Sequence, residues 1–124
     1  MRIKDKNGAK KVFMNYKVWL TSITGDGAVG DNEYRLLKHI VESKSLKAAS
    51  NDIGISYRKA WGDLKKAEEI LGYQLLDKQR GGKSGGTSVV TDKARKLIEA
   101  YEALQKTFDE NIESALNEFN DKIK

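Results

Sequence analysis

Apolar side chains along this chain follow two different rhythms, and each change of rhythm marks an element. Residues 12–24 (VFMNYKVWLTSIT) carry apolar groups at Val12, Met14, Tyr16, Val18 and Leu20, the two-residue period of a strand with one covered face. A first strand is expected there. Glycines at 25, 27 and 30 end it, and Asp31 is placed to cap a helix over 32–43 whose Leu36, Leu37, Ile40 and Val41 form one stripe. Residues 45–61 (SLKAASNDIGISYRKAW) then read as two helices joined tightly. Ser45 and Ser56 are each positioned to accept from orphaned backbone N–H groups, and Gly54 stands where the turn wants a positive φ. Ala48 and Ala49 keep one face of the first helix small, so the second can cross it closely.

In that second helix, Tyr57, Ala60, Trp61, Leu64, Ala67 and Leu71 share a face and are expected to be buried, Trp61 as a core residue by its size and position. Arg58, Lys59, Gly62, Asp63 and Lys66 are left pointing outward. Leu75 and Leu76, and then 88–90, read as two short strands around GGKSGG, a hairpin tip. From Thr91, a second candidate cap, a long helix begins with Leu97, Tyr101, Leu104, Phe108, Ile112, Ala115, Phe119 and Ile123 along one side. Its spacing follows an 11-residue period, which favours straight or slightly right-handed packing, and unbroken it would run roughly 50 Å. The expected fold class is mainly α with a small β-wing: a winged helix-turn-helix over 1–90 and a long C-terminal dimerisation helix over 91–124.

So long an apolar stripe exceeds what a domain of this size covers. Pairing with a second copy through Leu97, Tyr101, Leu104, Phe108, Ile112 and Phe119 is therefore expected, with folding back on its own domain as the alternative. Composition agrees: 124 residues with 39% hydrophobic and 33% charged residues make one small domain with a modest core. No apolar run approaches the roughly 18 residues that cross a bilayer, the first residues lack the apolar centre of a signal peptide, and Cys is absent. A cytoplasmic protein is expected. The net charge of +5 is uneven, with 17 Lys and Arg against 10 Asp and Glu in residues 1–90, and 6 against 8 in residues 91–124. A basic globular part suits a polyanion, and a mildly acidic tail suits a protein partner.

Double-stranded DNA is the polyanion that this layout addresses. Arg58 and Lys59 lie in the first turn of the second helix, the part of a recognition helix that reaches base edges, where a guanidinium can pair with guanine O6 and N7. Ser56 and Tyr57 open the same turn, Tyr57 as an alternative phosphate contact. Lys47, Lys66, Arg35 and Lys38 are candidate phosphate contacts, which position without specifying. Lys78, Arg80, Lys83 and Ser84 lie in or beside the glycine-rich tip, suited to a minor groove or the adjacent backbone. A nucleotide-binding loop at 82–84 (GKS) fails on spacing, since Asp77 stands where that pattern needs glycine. Catalysis finds no constellation: there is no Cys, the single histidine, His39, sits on the scaffold helix as a surface or half-buried residue, and no carboxylates pair in an apolar setting. No cofactor or metal is expected, for want of a His/Cys cluster or a calcium-loop spacing.

The motifs LLKHI (36–40), SLKAAS (45–50), GISYRKAW (54–61), LGYQLLDKQ (71–79) and GGKSGG before the Thr91 helix start resemble the N-terminal DNA-binding domain of the ModE family over 30–101. These are molybdate-responsive bacterial regulators, related in this domain to LysR-type regulators. SYRKAW with a glycine-rich wing is the specific part. The resemblance implies a winged helix dimerised through its terminal helix, with the helix at Ser56 in the major groove and the wing beside it. Ser84 and Thr87 stand where the family tends towards a longer glycine run, and residues before Val12 match nothing in it. Family members sense molybdate in a separate C-terminal β-domain that these residues do not contain, so molybdate binding by this chain is not expected. The expected function is sequence-specific duplex DNA binding by a homodimeric transcriptional regulator. The alternatives are a sequence-indifferent architectural protein and a winged-helix protein-docking module.

Overall fold

A computed structural model describes residues 14–77 and 87–124. Its elements run β1 (Leu20–Thr21), β2 (Gly27–Val29), α1 (Asp31–Ser43), α2 (Leu46–Ile53), α3 (Tyr57–Leu71) and α4 (Asp92–Lys122). Val18–Glu102 forms one compact unit, and the described part of a second comprises residues 14–17 and Ala103–Lys124. Within the first, α1 contributes Leu36, Leu37 and Ile40 to a core completed by Leu46 and Ala49 of α2, Ala60, Leu64 and Ala67 of α3, Ala94 and Ile98 of α4, and Leu75 and Val90 between α3 and α4. Each fully buried Leu or Ile there contributes roughly 1.5–3 kcal/mol of apolar transfer. Together with the antiparallel bridge Leu76–Val90, to which the two short strands expected at 75–76 and 88–90 reduce, this is the winged helix-turn-helix that the hydrophobic pattern predicts, with the ribbon β1–β2 as an addition ahead of α1.

The expected strand over 12–24 is a correction. Only Leu20 and Thr21 pair, antiparallel with Val29 and Gly27 across an irregularity, and residues 14–19 have no regular structure. Val12 lies outside the described residues. Alternation needs a partner to cover its apolar side, and the three-residue β2 covers little: Met14 stays 47% and Tyr16 41% exposed. The glycine-rich segment read as a break supplies that partner, folding back through a turn at Gly25 (φ 91°).

The start of α1 also differs. Gly30, not Asp31, is the N-cap, and Glu33 Oε1 accepts from the Gly30 N–H at 2.7 Å, so a glutamate in the first turn takes the role assigned to Asp31. At the other end, Lys44 closes the helix with φ 55° and donates its N–H to the Ile40 carbonyl. Thr91 behaves as expected, its Oγ1 accepting from the Ala94 N–H at 3.0 Å.

The long helix begins inside the domain core, which corrects one of the expected pairing residues, Tyr101. Tyr101 is 1% exposed, clustered with Ala28 and Val29, stacked on Tyr34 at 5.2 Å between ring centroids, and donates its hydroxyl to the Val18 carbonyl. Leu97 is partly buried against both core clusters of the same unit. Tyr101 is already covered by its own chain, whereas Leu97 keeps part of its side chain accessible. In the second unit, Leu104 and Ile112 are half-buried while Phe108, Phe119 and Ile123 are 44%, 49% and 60% exposed. No helix among the described residues is long and apolar enough to cross a membrane.

Candidate nucleic-acid interface

Two serines and a glycine set the geometry of the α2–α3 pair. Ser45 Oγ accepts from the Ala48 N–H and Ser56 Oγ from the Lys59 N–H, each at 3.0 Å, so each helix starts at a fixed residue. Gly54, at φ 78°, closes α2 with its N–H on the Asn51 carbonyl, and Ile55 follows with its N–H on the Ser50 carbonyl. Ser50 itself is fully buried and donates its hydroxyl to the Lys47 carbonyl. From behind, α3 is held by Ala60, Leu64 and Ala67, all nearly inaccessible. Neither α2 nor α3 carries an acidic residue in its first turn, so the positive end of each helix dipole is left uncompensated there.

The opposite face of α3 carries the cations. Arg58 and Lys66 are exposed and have no ion-pair partner among the described residues, and the same holds for Lys47 on α2. Lys59 is exposed too, with its Nζ 3.0 Å from Asp63 Oδ2 one turn along. Tyr57 and Trp61 are corrections. Both are 51% exposed rather than buried. Successive helical residues are about 100° apart, so Trp61 stands a quarter-turn round from Ala60, at the rim of the buried stripe. The alanines at 60 and 67 let neighbouring elements pack too closely to admit an indole. Its ring instead carries Lys65 Nζ at 5.5 Å from the centroid.

The base of the wing is in place beside this face. Leu76 bridges Val90 antiparallel, Asp77 donates its N–H to the Val89 carbonyl, and Thr91 donates its N–H to the Leu75 carbonyl. The expected tip residues Lys78, Arg80, Lys83 and Ser84 lie outside the described residues. Two side chains that the sequence did not single out tie this base to the helix pair. Glu68 of α3, 13% exposed at its side chain, accepts from the Leu75 N–H at 2.7 Å and from the Leu76 N–H at 3.3 Å. Ser88 donates its backbone N–H to the Lys44 carbonyl, and its Oγ accepts from the Leu46 N–H. The only hint in the sequence was a glutamate just ahead of the Gly72 helix stop.

Lys38 is redirected from the phosphate role expected of it. Its Nζ meets Glu102 Oε2, which also accepts from the Tyr34 hydroxyl at 2.6 Å. The hydrogen bond from Lys38, followed by that from Tyr34, holds the Glu102 carboxyl below its usual range, and the same Glu102 bond raises Lys38. Arg35 stays exposed, its nearest acid being Asp31 at 3.9 Å. His39 is half-buried on α1, with Nδ1 3.4 Å from Asp52 Oδ2 of α2. Among the described residues no three His, Cys, Asp or Glu side chains gather as a metal site.

Comparison with known proteins bears on the same segment. The family model described as bacterial regulatory helix-turn-helix protein, lysR family, matches residues 32–95. The DNA-binding transcriptional dual regulator ModE of Escherichia coli K12 is 38% identical over 78 residues, 60% of this chain and 30% of that protein. The transcriptional regulator ModE of Haemophilus influenzae is 36% identical over 73 residues, 59% and 29% respectively. The chain thus spans about 30% of the length of these relatives. Among solved structures, a BenM DBD/catB site 1 DNA complex matches with a TM-score of 0.50 at 22% identity, over 67% of this chain and 87% of that one, a likeness of fold. The matched family segment runs from the scaffold helix through the helix pair and wing base into α4, and the chain belongs to the lysR family of bacterial regulatory helix-turn-helix proteins.

Proposed function

We propose that this chain is the DNA-binding part of a transcriptional regulator, reading duplex DNA sequence-specifically with α3 in the major groove and the wing at the adjacent backbone or minor groove. The observation that carries this is the two-sided character of α3: its back is locked into the core by Ala60, Leu64 and Ala67, while its opposite face presents Arg58 and Lys66 without ion-pair partners among the described residues. A rigidly backed helix with bare cations matches what groove reading needs, because base contacts demand positional precision and phosphate contacts demand charge. Ser56 and Tyr57 open the reading turn, Arg58 and Lys59 reach base edges, and Lys47, Lys66, Arg80, Lys83 and Ser84 meet the backbone or the neighbouring groove. This is a binding role without chemistry on the ligand, and it carries a cytoplasmic location with it.

Two copies act together in this proposal, paired through Leu97, Leu104, Phe108, Ile112 and Phe119 of α4, so that two half-sites about one helical turn or a multiple apart are read at once. The exposed phenylalanines at 108 and 119 support it, since apolar side chains at that spacing are costly to leave in water. Selection from a random duplex library at near-physiological salt tests the whole. A two-fold-symmetric enriched site is the expected result. Bound DNA without enrichment would replace sequence-specific reading with an architectural role, and no binding would refute DNA recognition in favour of protein docking. Sedimentation of the free protein as a monomer would remove the pairing.

A further inference from the structure

Gly62 sits in the interior of α3, where glycine is the poorest helix former after proline, and nothing in the fold asks for it. Its φ is not among the positive values, which belong to Gly25, Gly54 and Gly72. Beyond its chain neighbours and the backbone of its own helix, a Cβ built at Gly62 would meet no atom within 4 Å. Neither backbone conformation nor internal packing therefore explains the missing side chain. The position is exposed, and it lies four residues from Arg58 on one side and from Lys66 on the other, which puts all three on one outward stripe. The stripe is thus two cations flanking a patch of bare backbone.

On the footing of the DNA-binding reading above, we propose that Gly62 is the point of closest approach between α3 and the duplex. With no side chain there, the helix seats deeply enough for Arg58 and Lys66 to reach the floor and wall of the groove together. A methyl group at this point lifts the helix, lengthening the contacts on both sides. The residue sets affinity by what it leaves out, and it adds no charge to the interface.

Gly62→Ala and Gly62→Gln, both good helix formers, separate this from a structural role. The readouts are thermal unfolding and affinity for a duplex enriched by the selection above, measured across a salt series. Gly62→Ala is expected to raise Tm by roughly 4 °C while weakening binding by about tenfold, with Gly62→Gln weaker still. The slope of affinity against salt is expected to fall by less than the roughly one unit that removing Lys66 costs, because that cation is displaced from its phosphate and not removed. Unchanged or tighter binding in both variants would overturn the inference while leaving the DNA-binding reading standing. A fall in Tm for Gly62→Ala would overturn it as well, since the fold would then require the glycine. Failure of the unaltered protein to bind any duplex would instead remove the DNA-binding reading, and this inference with it.

Discussion

Replacing Glu68 by alanine should detach the wing from α3. The carboxylate is 13% exposed and accepts two backbone N–H groups, from Leu75 at 2.7 Å and Leu76 at 3.3 Å. Hydrogen bonds to a charged acceptor contribute about 1.5–3 kcal/mol each, and the longer of the two belongs at or below the low end. Lys65, whose Nζ is 3.3 Å from Glu68 Oε1, is 46% exposed and adds well under 1 kcal/mol after solvent screening. Alanine returns a few tenths of a kcal/mol in helix propensity. The net expectation for Glu68→Ala is a loss of about 2–3 kcal/mol, and for Glu68→Gln, which keeps one acceptor oxygen, about 1 kcal/mol. Urea unfolding followed by circular dichroism at one fixed protein concentration measures both, the fixed concentration removing any contribution from association. Hydrogen exchange at the Leu75 amide locates the effect. If Glu68→Ala unfolds within about 0.5 kcal/mol of the unaltered protein, or the Leu75 amide keeps its protection, the two hydrogen bonds do not hold the wing.

Three further outcomes are expected. Arg58→Ala should lose about 1–3 kcal/mol at one base position and relax specificity there, whereas Lys66→Ala should weaken all duplexes evenly and reduce the salt slope by about one; equal losses on selected and random DNA for both would refute that division. Lys44→Gly should stabilise by roughly 0.5–1 kcal/mol, because φ 55° strains any residue with a Cβ, and unfolding at constant pH reports it. Glu102 is held below its ordinary range in the folded state, so the unfolded chain takes up that proton first on acidification. Its contribution is complete above the ordinary carboxylate value of about 4.3 and disappears as pH falls through the lowered one. The Tm gap between the unaltered protein and Glu102→Gln should therefore narrow as pH falls below about 5 and close once pH has passed through the lowered value; a gap independent of pH would refute the link. Lys38, raised by the same bond, gives the mirror case, its contribution complete below the ordinary lysine value and lost as pH climbs through the raised one.

What the sequence disclosed and what it hid divide by distance along the chain. Ser45, Gly54, Ser56 and Thr91 act on backbone groups within a few residues, so their chemistry could be read in place. The alternation over 12–24 promised a strand, but a strand also needs a neighbour, and the neighbour available was three residues long. Size and face alone predict Trp61 in the core. Its angle on α3 put it at the edge of a stripe whose alanines draw the neighbouring elements close, and the indole was left half outside. Tyr101 belonged to a stripe that looked continuous, yet its hydroxyl meets Val18 and its ring meets Tyr34, contacts that no local pattern encodes. Lys38 and Glu102 likewise find each other across most of the domain. The placement of Arg58 outside and Ala60 inside followed from periodicity alone. The anchoring by Glu68 and Ser88 depended on where a later strand returned.

That anchoring has an engineering consequence. One foot of the wing is fastened to α3 through Glu68, and the other is fastened to the entrance of α2 through Ser88. With both feet secured by bonds outside residues 78–86, that insert is a replaceable cartridge: its length and chemistry can be exchanged, by selection or by design, without retuning the core that aims the helix. On the proposed DNA-binding role, variation in groove preference can therefore accumulate between the two feet while the mount that carries them stays the same.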